Sequence, residues 1–583
     1  MRRISSACAA MPDGGAAAAR TAGARPVRRR RRNPVRLALH RLERLTVRRM
    51  IYSLATVWFN GLFYRRTLGG RYGKGLAHAP REAWLGDARR GSAVLRREYA
   101  FAGHSQTEPG DPWHAADTPQ AWTAALHGFD WLRDLRAVGG RTARDHGREM
   151  VVDWLRREDR WHPLTWRPDV LAARLTNWLM AAEYLYPVDE PLDAKPFLGS
   201  LIRQARHLSR AVGMLDPGTD RLLALCALAL SGICMPSQAR NLPRWLDMLS
   251  AEAVAQIGGD GVHVTRSPAG QLLILRRLVE LHGVLREAGI DAPQSLESAI
   301  ARMAAALRAL RHGDGRLCLF NDSNEEENWL IDLVLSRADM RGQHVETSPE
   351  DAGFQRLVAN RAVVVMDAAP LPPPGFDRHA HAGTLSFEMS VGRQRMVVNC
   401  GAYFGSREDW RFAQRATAAH STVTIDDYNS ADVLGDSLIG FRPRVGAVDR
   451  HEADGNLWLD ATISDYGGIP GLGHQRRLYL SSSGANLRGE DNISSRRQHR
   501  FVVRFHLHPS VTASLAQNEE SVLLRLRHGE GWRFRAEGGA VGLQESVYLG
   551  FRGRPRRTSQ IVVTGVKRSG SATVKWAFSR LGS

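Results

Sequence analysis

Residues 378–400 read RHAHAGTLSFEMSVGRQRMVVNC. From Thr384 to Val391 apolar and polar residues alternate strictly, which is the period of a half-buried strand. Gly392 and Arg393 make a turn signal, and RMVVNC (395–400) follows as a second strand, so the stretch predicts a β-hairpin. Two histidines, His379 and His381, stand two positions apart just before the first strand; in extended backbone both face one side. Working outward, RAVVVMDA (361–368), STVTIDD (421–427), NLWLDATISD (456–465), RRLYLSSS (476–483), FVVRFHLH (501–508), VLLRLRH (522–528) and QIVVTGV (560–566) carry the same signature. More than 200 residues of strands without helical interludes predict an antiparallel β-sandwich and not a βαβ sheet.

Upstream of a boundary between Thr347 and Gly353 the periodicity is helical. AWTAALHGFDWLRDLRAVG, LAARLTNWLMAAEYLYP, SLIRQARHLSRAVGM and GQLLILRRLVELHGVLREAG place apolar residues at i, i+3 and i+4. Pro187, Asp216–Pro217–Gly218, Asp260–Gly261 and Gly313–Asp314–Gly315 separate such segments. Serial helices with short breaks predict paired antiparallel helices in a solenoid or ring. The longest apolar run, Leu222 to Met235, falls short of the ~20 residues of a spanning helix.

The chain has 583 residues and a formal net charge of +20. Residues 1–50 hold 14 arginines against Asp13 and Glu43, so +12 of that charge belongs to a leader. Residues 1–35, rich in Ala, Gly, Pro and Arg, cannot bury apolar area and are expected to be disordered. The run Arg28 to Arg32 suits a solvated tail, nucleic acid, acidic lipid or an acidic polymer. Residues 36–65 read as a basic amphipathic helix, either docking on the next domain or lying on a membrane surface. The expected organisation is therefore leader 1–35, helical domain 36–346 and sandwich 347–583. The five cysteines show no CxxC spacing, which excludes a disulfide framework or zinc ribbon as the organising device.

A third histidine, His420, precedes the strand of RATAAHSTVTI, and Asn399 ends another strand, so these groups can meet at one sheet edge. His381 and His420 are metal-ligand or acid/base material. In the helical half Arg133, Asn177 and Trp178 suit a groove for sugar rings and carboxylates, or else core positions. A second HxH, His506 and His508, lacks a partner motif and reads as sheet structure.

RHAHAGTLSFEMSVGRQRMVVNCGAY with RATAAHSTVTIDD resembles the C-terminal signature of the heparinase II/III-like polysaccharide lyases, and FDWLRDLRA, LAARLTNW and DGVHVTRSP resemble their N-terminal domain. The resemblance spans residues 120–580 and implies an incomplete (α/α) toroid followed by an antiparallel β-sandwich, with substrate in the cleft between them. It implies a carbon–oxygen lyase that cleaves a uronate-containing acidic polysaccharide by β-elimination. That reaction needs a neutralised carboxylate, a base for the C5 proton and an acid for the O4 leaving group. By position His379 matches the catalytic histidine of the sandwich. His381 and His420 match histidines that hold a zinc ion, with Asn399 where an aspartate is usual. The toroid departs from the pattern: Gly218-Thr-Asp-Arg-Leu222 replaces Gly-Asn-His-Leu, and Ser267-Pro-Ala-Gly-Gln271 puts Gly270 at the tyrosine and Gln271 at the following histidine.

The resulting expectation places His379 as base, Tyr403 as acid and Arg266 as carboxylate clamp, with His263, Asn177, Trp178 and Arg133 binding substrate. The zinc set would be His381, Asn399 and His420. The alternative is a diverged glycan-binding protein without catalysis, because the toroid tyrosine and Asn/His are missing. The family implies the periplasm or cell envelope; the lack of an apolar secretory centre makes the cytoplasm the alternative. Neither a specific nucleic acid nor a transmembrane segment is expected.

Overall fold

The computed structural model of the protein describes residues 54–69, 75–107, 110–187, 193–339, 353–405, 407–435, 438–516, 520–551, 554–568 and 570–582. The expected leader and residues 36–53 of the amphipathic segment lie outside the described residues. The chain divides into two compact units, Met1–Trp58 and Phe59–Ser583, and the second contains both the helical and the β half.

Besides two short ones, Ala182–Leu185 and Glu408–Ala413, its described α-helices are α1 Leu62–Leu68, α2 Ala88–Leu95, α3 Gln120–Gly128, α4 Leu132–Val138, α5 Gly140–Arg157, α6 Pro168–Met180, α7 Lys195–Ala211, α8 Thr219–Cys234, α9 Leu242–Gln256, α10 Pro268–Glu287, α11 Gln294–Ala309 and α12 Asn328–Ala338. The apolar run becomes α8, buried at every position from Ala224 to Cys234, as a helix hydrophobic on all sides must be. It packs against α6, α9 and α10. Among the described residues no helix is long and apolar enough to cross a membrane. α10 is started by Ser267, whose hydroxyl accepts from the Gly270 N–H, with Pro268 in its first turn. The segment read as one helix from Trp122 breaks at Phe129, which caps α3 in the left-handed conformation (φ 59°). A short hairpin, β1 Glu98–Phe101 and β2 His104–Thr107, interrupts this half, where the sequence pattern predicts no strand.

The β half contains two eight-stranded sheets, antiparallel throughout. Its strands are β3 Phe354–Ala359, β4 Ala362–Asp367, β5 Phe387–Val391, β6 Gln394–Val398, β7 Val423–Ile425, β8 Val433–Leu434, β9 Leu438–Ile439, β10 Arg444–Ala453, β11 Asn456–Ser464, β12 Gly473–Leu480, β13 Asn486–Ser494, β14 His499–Leu507, β15 Thr512–Leu515, β16 Ser521–Arg525, β17 Gly531–Glu537, β18 Ala540–Tyr548, β19 Arg556–Lys567 and β20 Ser571–Arg580. One sheet runs β10-β11-β12-β13-β20-β17-β16-β15; the other runs β18-β19-β14-β6-β5-β4-β3, with β7 also paired to β14. One apolar core containing Phe387, Phe505, Phe534, Trp576 and Phe578 fills the space between them. The architecture is the expected helical toroid followed by a β-sandwich. The expected boundary, 346/347, falls in residues 340–352, outside the described residues. The four described cysteines, 226, 234, 318 and 400, are buried and unbridged.

The two halves meet through buried polar contacts, most of them made by the loop between α11 and α12. His312 bonds Glu388 at 2.9 Å and Ser390 at 3.0 Å. Glu325 receives Arg316 at 2.6 Å and the hydroxyl of Tyr548. Asn321 donates to the carbonyl of Arg266 and accepts from the His381 N–H. Asn321, Asp322 and Glu326 all have positive φ, a concentration of left-handed backbone in one loop that marks a constrained junction.

Candidate functional site

His379 is exposed where the sandwich faces the toroid, and its Nδ1–H donates to Asp322 Oδ2 at 2.6 Å. The other carboxylate oxygen of Asp322 accepts from Gln414 Nε2 at 3.0 Å, and Gln414 Oε1 accepts the N–H of Tyr403. Burial alone would raise the Asp322 carboxyl, but the His379 hydrogen bond and charge outweigh it and hold the group below its usual range. A carboxylate on Nδ1 fixes the imidazole tautomer and leaves Nε2 as the lone-pair face, the arrangement a general base requires.

Beneath this pair lies a string of hydrogen bonds. The Asp322 N–H donates to His381 Nε2 (3.1 Å), His381 Nδ1–H to His420 Nε2 (3.2 Å), and His420 Nδ1–H to the Ala416 carbonyl (2.8 Å). Each ring nitrogen has one partner when both rings are neutral. Burial pushes His420 down to about 4 and His381 well below its ordinary value. Two imidazoles at 3.2 Å could straddle an ion, but Asn399 commits its Oδ1 to the Ser421 N–H, and no carboxylate or thiolate joins the rings among the described residues. The donor set does not fit a zinc site, so the expected set His381, Asn399 and His420 is replaced by a proton-ordered support for Asp322. The described residues do bring His312, Cys318 and Glu388 within 4.8 Å of one another. Both His312 nitrogens are already bonded and burial pushes the Cys318 thiol up, so this cluster pins the domain junction.

Asp220, an exposed carboxyl in the first turn of α8, lies close enough to His379 and Arg378 to feel their charge. Surrounding protein atoms, then the charge of Asp169, raise its carboxyl above the ordinary range; Arg378 and His379 oppose them. Asp169 is itself held by Arg167 through two contacts, 2.6 and 2.8 Å. Arg378 is exposed beside His379. A base, a cation and a carboxyl of raised proton affinity therefore lie within electrostatic reach of one another.

Other expected site residues are placed differently. Arg266 is buried, bonded to Asp367 at 2.7 Å and to the Pro370 carbonyl at 3.1 Å, with its guanidinium 4.5 Å from the Phe354 ring centre. It ties toroid to sandwich and does not offer a carboxylate clamp. His263 is fully buried between Thr265 (2.8 Å) and Gln256 (2.9 Å). Trp178 has no exposed surface; Phe129, Trp154 and Phe197 each lie 5.2 Å from its ring centre. Arg133 and Asn177 bond each other at 3.2 Å, and Asn177 anchors the Gly128 carbonyl, so both are buried framework groups. Tyr403 is half-buried against Trp410, 5.9 Å between ring centres, with its phenol over Gly405. His506, as expected for sheet structure, is buried and bonded to Ser546 and the Ala418 carbonyl.

Residues 346–577 match the family model described as Heparinase II/III-like, C-terminal. The heparan sulfate lyase HepC of Pedobacter heparinus superposes with a TM-score of 0.58 at 17% identity, covering 89% of this chain and 87% of that one. Residues 346–577 are a heparinase II/III-like C-terminal domain. The solved structure of Heparinase III gives a TM-score of 0.68 at 13% identity, covering 89% and 88%; at such identities these two comparisons show the shared fold. FtsZ-localized protein C of Caulobacter vibrioides is 28% identical over 547 residues, 90% of this chain and 93% of that protein. In the helical half Gly270 lies on α10 with Thr265 and Ser267 crowding its Cβ direction at 3.3–3.5 Å. Gln271 is turned inward, donating to the carbonyls of Gly261 (2.7 Å) and Met303 (3.1 Å). The toroid positions that carry proton chemistry by family resemblance are structural here, while Asp220 occupies the divergent Gly218–Leu222 segment.

Proposed function

We propose that this lyase-like protein acts on a uronate-containing polysaccharide in the crevice at His379. The observation that carries the reading is the 2.6 Å His379–Asp322 bond, which commits one ring nitrogen of an exposed imidazole and leaves the other for a substrate. Arg378 meets the uronate carboxylate, since Arg266 is engaged elsewhere. His379 Nε2 takes the C5 proton, the C5–H electron pair becomes the C4–C5 double bond, and the C4–O4 bond breaks. O4 leaves with a proton from Asp220, whose raised proton affinity suits an acid. His379 ends protonated and Asp220 ionised; a proton returned through solvent resets both.

A second reading is glycan binding without turnover by a protein that localizes with FtsZ. It is favoured by Gly270 and by the likeness to FtsZ-localized protein C. Both readings put the protein at the cell envelope. Ultraviolet absorbance of unsaturated uronate, followed on a panel of uronic-acid polymers, separates them. The expected result is release from at least one polymer, reduced about 10²–10⁴-fold in His379→Ala and by at least ~10²-fold in Asp220→Asn. Binding with no absorbance change establishes the second reading, and full activity in Asp220→Asn removes its role as acid.

A further inference from the structure

The outer face of the β10-to-β15 sheet carries a feature the crevice does not use. Strand register places His451, Trp458, Tyr479, Arg488, Ala577 and Arg535 in one straight row across β10, β11, β12, β13, β20 and β17. The neighbouring residues of β11 and β12, Leu457, Leu459, Leu478 and Leu480, point into the core, so the row points outward. Ring centres of His451 and Trp458 are 5.4 Å apart, those of Trp458 and Tyr479 5.2 Å, and the Arg488 guanidinium lies 5.2 Å from the Tyr479 ring centre. With strands ~4.8 Å apart the row forms a continuous strip perpendicular to the strands.

Its charge is one-sided. The row contains two arginines and no carboxylate. In the adjacent row Asp460 pairs with Arg477 at 2.8 Å and Glu490 with Arg477 (3.5 Å) and Lys575 (3.8 Å), while Asp449 and Glu537 are the further acids of that row. Cross-strand aromatic packing explains stability for three of the positions, but not the continuation of the row into arginines at Arg488 and Arg535. Aromatic rings offer apolar faces to the C–H surfaces of sugars, and guanidinium groups match carboxylate or sulfate geometry.

We infer that the Trp458–Tyr479–Arg488–Arg535 strip is a second glycan-binding site, for an extended anionic polysaccharide. It is separate from the crevice and does not depend on catalysis there. The test uses the full chain carrying His379→Ala, so that turnover is suppressed, with heparan sulfate and hyaluronan oligosaccharides as probes and dextran as the neutral comparison. At least one anionic probe is expected to bind more tightly than dextran. Trp458→Ala with Tyr479→Ala is expected to weaken binding at least ~10-fold. Arg488→Gln with Arg535→Gln is expected to weaken it about 5-fold and flatten its salt dependence. Because the ring variant can loosen the sheet, melting temperature is recorded, and Arg535→Gln at an exposed position gives the readout if that variant does not fold. No binding of either anionic probe, equal binding of dextran, or unchanged affinity in a folded variant of the row overturns the inference.

Discussion

Arg476→Met is expected to lower the unfolding free energy by about 3–5 kcal/mol, the usual consequence of stranding one member of a buried ion pair. Arg476 has no exposed surface and grips Asp491 with two bonds of 2.8 and 3.0 Å. Its remaining nitrogen donates to the carbonyls of Leu385 (2.8 Å) and Ser421 (2.7 Å). Asp491 also receives His474 at 2.7 Å and Trp576 at 2.8 Å, and Arg476 with these partners holds its carboxyl far below the usual range against burial. Methionine fills much of the volume but leaves a carboxylate between sheets and two carbonyls without their donor. The urea midpoint reads the loss, and Arg476→Met with Asp491→Leu should recover a large part of it by removing both charges. A single-variant loss below ~1 kcal/mol would show that the pair is not a structural key. The effect also reaches the site: Ser421 follows His420, and Leu385, at a positive φ of 62°, follows the His379–His381 segment.

Stability should fall steeply between pH ~6.5 and ~4. Burial lowers His263 and His420 to about 4, and His127, His207 and His506 to about 3. In the unfolded chain such rings titrate near ~6.5. Below that value the unfolded state holds protons that the folded state refuses. The stabilisation is therefore complete above ~6.5, drains as pH falls, and levels off once the folded rings accept protons. Each ring contributes a slope of about 1.4 kcal/mol per pH unit within its window. Melting temperature measured from pH 7.5 down to 4.5 should drop progressively, with a shallower slope in His420→Gln. A flat profile across that window would mean that these rings are already charged in the folded protein.

The fold was legible because hydrophobic period changes near residue 350 and because α8 is apolar on every side. Strands β3, β8, β9, β10, β13, β15, β17, β18 and β20 escape the sequence pattern, and β13 shows why. β13, NLRGEDNIS, carries Asp491 into the interior and needs Gly489, where a Cβ would lie 2.1 Å from the Trp576 ring, so it reads as polar turn. At the site, His381 and His420 meet as their positions before two strands suggest, whereas His379 lies in a turn on the exposed side, not on one face with buried His381, and reaches it only through Asp322. The partner that gives His379 its chemistry, Asp322, sits 57 residues away in FNDSNEEEN, a stretch that looks like any acidic loop. Only a tertiary contact reveals it, although Asn-Asp at a helix-to-sheet junction is a recognisable seat for left-handed backbone. Arg266 and His263 were drawn toward the cleft by family resemblance, whereas their polar atoms are consumed locally or at the domain seam. Trp178 shows the same lesson for aromatics: helical spacing locates a ring on a face but does not say which face meets the core.

The most direct measurement is a structure of the His379→Ala protein with a uronate-containing oligosaccharide. The expected result puts a sugar C5 where the His379 Nε2 would reach it, the uronate carboxylate on Arg378 and the glycosidic O4 toward Asp220. An oligosaccharide whose carboxylate lies away from Arg378, or a crevice that stays empty while the sugar occupies only the outer sheet face, would contradict His379 as the centre of the site.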